Sequence, residues 1–205
     1  IAAWLDEHLR PAIDASLVEW GHVPGPLIFA VNSRNPAACI WDWTAGPRFS
    51  NGYGSARQAP TVLVENHSLK SFRRRVLGTR VMLEASVRLL AGEGRGLRQA
   101  IERDRASRLD PVPLSFRAGE GDVPTMTFLG IAHERFLSPV SGDVAVRWTA
   151  EPVTLEVPVR GATEVDAAVN RPAAYWIPPG WPEVVERLEA HGIAVERVEN
   201  ERTLD

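Results

Sequence analysis

Apolar residues recur with a helical period at the start of the chain, at Trp4, Leu5, Leu9, Ile13, Leu17 and Trp20. That spacing predicts helix over residues 3–20. Pro11 falls inside it and predicts a kink or two shorter helices, since proline has no N–H to give and crowds the preceding turn. The run Gly21-His22-Val23-Pro24-Gly25-Pro26 then stops the pattern. Residues 27–31 and 39–43 read as two strands joined by the turn-rich Asn32-Ser33-Arg34-Asn35-Pro36. Residues 45–60 hold no period and several glycines, so a long loop carrying Arg48, Tyr53 and Arg57 is expected there.

Thr61-Val62-Leu63-Val64 is a short β-branched apolar run, the mark of a buried strand, and it leads directly into Glu65-Asn66-His67. A long amphipathic helix is predicted over 72–91, with Val76, Leu77, Val81, Leu83, Val87 and Leu90 inward. Arg80, Glu84 and Arg88 form its solvated stripe. Gly92-Glu93-Gly94-Arg95-Gly96 reads as a helix stop, and a short charged helix follows over 97–108. From about residue 111 the pattern changes to short strands: 112–116, 124–131, 144–148, 153–159, 164–169 and 174–177. One late helix, 181–190, is closed by His191-Gly192 and followed by a strand over 193–198. The predicted class is therefore α/β over 1–110, followed by a smaller, mainly β accessory domain with one late helix over 111–205.

Composition narrows the function classes. The 205 residues are 44% hydrophobic and 24% charged, which excludes a disordered chain and allows a sizeable core. A single cysteine, Cys39, excludes an internal disulfide and a cysteine-built zinc cluster. No apolar stretch is long enough to span a membrane as a helix, so no membrane partner is expected. The net charge is −3, and of 23 basic residues only Lys70 is lysine, a bias that weakens any reading of a basic patch. Residues 66–110 hold 11 basic against 5 acidic side chains, yet Phe72-Arg73-Arg74-Arg75 lacks an aromatic platform or a zinc finger. It reads as a solvated helix start and not as a nucleic-acid site. The glycine run at 92–96 follows a helix, unlike a phosphate loop, which joins a strand to a helix N-terminus. Gly54-Ser55-Ala56 lacks the frame of a nucleophile elbow, and His133-Glu134 has no second histidine at metal spacing.

The sharpest chemical candidate is Glu65. A carboxylate at the C-terminal end of a buried strand stands where open α/β sheets place their catalytic groups. A strand carried two residues further puts His67 on its face. The competing reading makes Glu65 a surface partner of Lys70 or of an arginine on the next helix, and spacing alone favours it.

The run Gly52-Tyr53-Gly54-Ser55-Ala56-Arg57-Gln58-Ala59-Pro60-Thr61-Val62-Leu63-Val64-Glu65-Asn66-His67-Ser68-Leu69-Lys70, with the helix after it, resembles the C-terminal part of bacterial zinc metallocarboxypeptidases of the carboxypeptidase A-like superfamily. The tail from Arg171 to Ile193 is similar to that of multidomain members. The resemblance implies the end of an α/β/α sheet fold, with Glu65 matching the catalytic glutamate that takes a proton from zinc-bound water and passes it to the leaving amine. It implies contacts from Arg57 and Tyr53 to the C-terminal carboxylate of a peptide substrate. Asn66 stands where threonine is usual. The family's His-x-x-Glu zinc motif is missing after each of His8, His22, His67, His133 and His191. The expectation is that zinc belongs to a longer parent protein whose N-terminal half carries the ligands, with no metal held by this chain alone. Ile1, already inside a helical pattern, fits the same expectation. A fragment of a sheet fold also exposes an apolar edge and face, so self-association is expected. Two other classes remain: a non-catalytic binding or structural module of a degenerate relative, and an unrelated hydrolase built on Glu65, His67 and Asp42.

Overall fold

A computed structural model describes residues 1–199. By contacts the chain divides into two compact units, Ile1–Val169 and Asn170–Asp205. The first contains the sheet and every described helix before residue 170, so the change of texture near residue 110 lies inside it.

The opening helical stretch is α1 (Ala2–Trp4), a π-helical turn (Leu5–Leu9) and α2 (Arg10–Glu19). The wider π turn comes immediately before Pro11, which occupies the first turn of α2, where a missing N–H costs nothing. The strain that predicts a kink is thus absorbed without breaking the helix. The strands β1 (Phe29–Ala30) and β2 (Ile40–Asp42) pair antiparallel, Phe29 opposite Trp41 and Ala30 opposite Ile40. Residues 45–60 contain a short helix, α3 (Ser50–Ala56), where an aperiodic loop was expected. Its glycines explain both the misreading and the structure. A Cβ on Gly52 would stand 2.1 Å from the Gly46 carbonyl oxygen, and one on Gly54 would stand 2.0 Å from Thr61 Oγ1. Only glycine lets this helix sit so close to its neighbours.

The longest helix, α4 (Phe72–Ala106), is one continuous rod of 35 residues. The stop expected at 92–96 is absent, and no separate helix begins at 97. Glycine costs about 1 kcal/mol in a helix interior, a penalty that tertiary packing overrides. The packing is visible at Gly96, where an added Cβ would lie 3.0 Å from Trp4 Nε1. Trp4, Leu9 and Ile13 bury themselves against Ala85, Leu97 and Ala100, with Leu5, Leu17, Met82, Leu89 and Ile101 around them. This helical hairpin is the core of the unit. Ser71 caps α4, its hydroxyl accepting from the Arg74 N–H at 3.4 Å.

The β part is organised by one long strand. β3 (Val112–Ala118), β4 (Thr125–Leu137) and β5 (Val144–Val169) form an open mixed sheet with β1 and β2, in the order β1-β2-β5-β3, and β4 also pairs with β5. Three short strands expected over 144–169 are one strand of 26 residues. It pairs antiparallel with β4 through Pro158, parallel with β2 at Val159, Arg160 and Gly161, then antiparallel with β3 from Ala162 onward. A bulge between Ile131 and His133 faces Ala150, whose φ of 66° bends the hairpin. Val157, at the centre, is wholly buried. Apart from a 3-10 turn at Pro36–Ala38 that packs on β5 and β1, the element packing joins helix to helix and strand to strand. The architecture is mixed α and β with an open mixed sheet.

In the second unit α5 (Pro182–Ala190) forms as its pattern predicts. Gly192, at φ 69°, closes it while the Ile193 N–H donates to the Leu188 carbonyl at 2.9 Å. The strands expected over 174–177 and 193–198 do not form: those residues hold no regular structure. Residues 200–205 of the expected accessory domain lie outside the described residues.

Candidate functional site

Tyr53 lies on α3, and Arg57 caps its C-terminus one turn later, its N–H donating to the Tyr53 carbonyl at 2.9 Å. Both side chains are exposed. The contact of Gly54 with Thr61 sets this helix against the start of the segment that carries Glu65. Gln58, at φ 51°, turns the chain there, and its side-chain amide donates to the Asp104 carbonyl at the end of α4, 3.2 Å away. Sequence neighbours are thereby held as structural neighbours at the Gly54–Thr61 contact.

Thr61-Val62-Leu63-Val64 is not a buried strand. It carries no regular secondary structure, and Val62, Leu63 and Val64 are 45%, 39% and 37% exposed. Among the described residues no backbone hydrogen bond reaches residues 61–66. The physical reason is direct: a β-branched run becomes a buried strand only when neighbours supply a ladder and a covering layer, and nothing described does so. Glu65 follows in the same open segment and has no ion pair or side-chain hydrogen bond among the described residues. The expected pairing with Lys70 or with an arginine of α4 does not form. His67 is exposed, its Nδ1 accepting from the Leu69 N–H at 3.1 Å. Asn66 turns the other way. Its side-chain amide donates to Thr79 Oγ1 of α4 at 2.9 Å, and Thr79 in turn donates to the Arg75 carbonyl at 3.0 Å. Gly78, buried on α4, leaves room for the side chains of Asn66 and His22.

The outer side of α4 is the feature that sequence reasoning missed. Asn66, Phe72, Arg75, Val76, Thr79, Arg80 and Leu83 line an open groove, which continues past Glu84, Val87 and Arg88. Val76, Leu83 and Val87, expected inward, are 48%, 58% and 66% exposed. The side that is covered presents Gly78, Val81 and Ala85 instead. The available signal was the angle between the two sets. On a 100° wheel, Phe72, Val76, Leu83, Val87 and Leu90 cluster on one side, and Gly78, Val81 and Ala85 on the opposite one. Two apolar sides demand two covering layers, and the α1–α2 helical stretch supplies one.

Electrostatics follow from exposure. Arg88 Nη2 donates to Glu84 Oε1 at 2.7 Å, and this hydrogen bond, with the guanidinium charges of Arg88 and Arg80, holds the Glu84 carboxyl below its ordinary value. Arg88 is raised in return by the same hydrogen bond and charge. At the β4–β5 turn the Val144 N–H and then the Arg34 guanidinium hold Asp143 below its ordinary value. Among the described residues Arg75 Nε is buried without a hydrogen-bond partner.

Among the described residues no three His, Cys, Asp or Glu side chains converge as metal ligands. No helix among them is long and apolar enough to cross a membrane. No protein-family model, no curated protein and no solved structure matches the chain.

Proposed function

We propose that this chain is part of a metallocarboxypeptidase-like protein, in which Glu65 is the carboxylate that moves the proton during hydrolysis of a C-terminal peptide bond. The observation that carries the proposal is the run of residues 52–70, in which Glu65 directly follows an apolar β-branched stretch and stands without an ion pair or side-chain hydrogen bond among the described residues. On this reading Glu65 accepts a proton from the attacking water and returns it to the leaving amine. The guanidinium of Arg57, which makes no ion pair with an acid among the described residues, offers a two-pronged donor to a substrate carboxylate. The finer fold belongs to the same proposal: α4 is the last helix of an α/β/α domain, and residues 61–64 are its last strand once the sheet is complete.

The zinc ligands then lie on polypeptide other than this chain, and the 205 residues alone release no C-terminal residues from peptides. The decisive experiment uses the longer natural protein. Glu65→Gln is expected to lower kcat by about a hundredfold to ten-thousandfold with KM nearly unchanged, and Arg57→Ala to act mainly on KM. A Glu65→Gln protein of full activity would end the peptidase reading.

A second reading is a non-catalytic binding module, favoured by the open outer side of α4. A longer natural protein without a His-x-x-Glu motif and without peptidase activity would select it.

A further inference from the structure

We propose that the outer edge of β4 is a dimer interface, at which two copies of this chain pair β4 with β4, antiparallel about Ile131, into one continuous sheet. The proposal goes beyond the peptidase reading and stands without it.

The phase of the ladder defines the edge. At its two ends the Val159 N–H donates to the Pro124 carbonyl at 2.8 Å, and the Ser138 N–H to the Asp143 carbonyl at 2.9 Å. In an antiparallel pair the residues that bond the partner alternate with residues that point away. Even-numbered residues of β4 therefore bond β5, and the odd-numbered ones from Thr125 to Leu137 turn their N–H and C=O outward. The bulge between Ile131 and His133 keeps this phase, because its extra residues lie on β5. Among the described residues β5 is the only strand paired with β4, and no hydrogen bond reaches the outward groups. They run through a strand of 13 residues without proline, an open template for another strand.

The opposite edge of this ribbon is interrupted. Pro158 and Pro152 stand across the ladder from Thr125 and Ile131, at positions whose N–H would point away from β4, and proline has none to give. Between Val144 and Val157, β5 pairs with β4 alone, so the sheet is two strands wide there. A two-stranded ribbon is marginal in water, and added strands stabilise it. Addition is open on the β4 side.

A second copy fits that side. Two-fold pairing sets odd residues against odd ones, and centring on Ile131 places Thr125 against Leu137, so the whole strand is used. No like charges meet: Arg135 faces Thr127, Glu134 faces Phe128 and His133 faces Leu129. Leu129 and Ile131, 55% and 42% exposed, gather with their counterparts around the axis. The outward row holds one full charge, Arg135, and so selects neither an acidic nor a basic strand, whereas its own copy matches it in length and register.

The test is sedimentation of the full chain over a concentration series, with amide hydrogen exchange at both ends of the series. A dimer is expected, and in it the amides of Thr127, Leu129, Ile131 and His133 gain protection while those of Met126, Phe128 and Gly130 are protected at every concentration. Leu129→Pro removes an outward N–H, leaves the bonds to β5 in place, and should abolish the dimer. Ile131→Lys sets lysine against lysine at the axis and should weaken it about fivefold or more. Val140→Lys, in the turn beyond β4, should leave it unchanged. Unchanged circular dichroism and Tm would establish that the variants fold. A chain that stays monomeric up to about 1 mM, a dimer without the alternating protection, or a dimer indifferent to both edge substitutions would overturn the proposal.

Discussion

The two sides of α4 share one backbone and nearly the same apolar content, yet they have opposite fates. On one side Val81, Ala85, Leu97 and Ala100 are buried. Trp4, Leu9 and Ile13 from the opening helices cover much of that side. On the other, Phe72, Val76, Leu83 and Val87 face solvent beside Arg75, Arg80 and the Glu84–Arg88 pair. The difference teaches that the hydrophobic pattern of a helix states how many layers it requires, while the structure states which of them this chain provides. Residues 61–65 repeat the lesson in β form, with a strand's composition and no ladder.

Truncation should separate the two sides most sharply. Leu97→Ala, on the covered side, is expected to cost about 2–5 kcal/mol, whereas Leu83→Ala, on the open side, should stay within about 0.5 kcal/mol. Urea unfolding of the two variants measures both, and equal losses would erase the distinction. Glycine substitutions come next. An added Cβ at Gly92 meets nothing within 4 Å, so Gly92→Ala should stabilise the chain by about 1 kcal/mol through helix propensity. At Gly96 the same methyl meets the Trp4 indole at 3.0 Å, so the gain should be smaller or reversed. A Tm rise equal to that of Gly92→Ala would show that Trp4 is not tightly seated.

The smallest effects are electrostatic. Glu84 and Asp143 have lowered folded values, so their contributions are present above the ordinary carboxylate value and are lost as pH falls through the lowered one. Both carboxylates sit in solvent, so the loss on acidification should be slight. Arg34→Ala should move the Asp143 titration upward in an NMR experiment, though not fully, because the Val144 N–H still donates to it at 2.7 Å. An unchanged titration would remove Arg34 from the account.

Much of the fold was legible from period and punctuation. The opening helix, the β1–β2 pair, the start of α4 and the α5 cap at Gly192 all follow from local signals. Long-range packing decided the rest. The glycines at 92–96 look like a stop because local propensity does not contain Trp4, and α3 looks like a loop because the need for Gly52 and Gly54 arises from Gly46 and Thr61. The length of β5 was hidden because β4, β2 and β3 share it in turn: residues 149–152 lie at the bulge against β4, and residues 160–163 lie where the partner changes from β2 to β3. For the candidate site, sequence singled out Glu65, Tyr53 and Arg57 but not the groove beside them. Val76, Leu83 and Val87 were assigned to a core by pattern, and pattern does not say on whose polypeptide the covering layer lies.

Amide hydrogen exchange on the dilute chain without a partner tests the central claim most directly. The account predicts that Val62, Leu63, Val64 and Glu65 exchange at nearly unprotected rates while Val81 and Ala85 of α4 exchange slowly. Slow exchange across residues 62–65 in that monomer would mean that the strand is already paired and covered, and would contradict it.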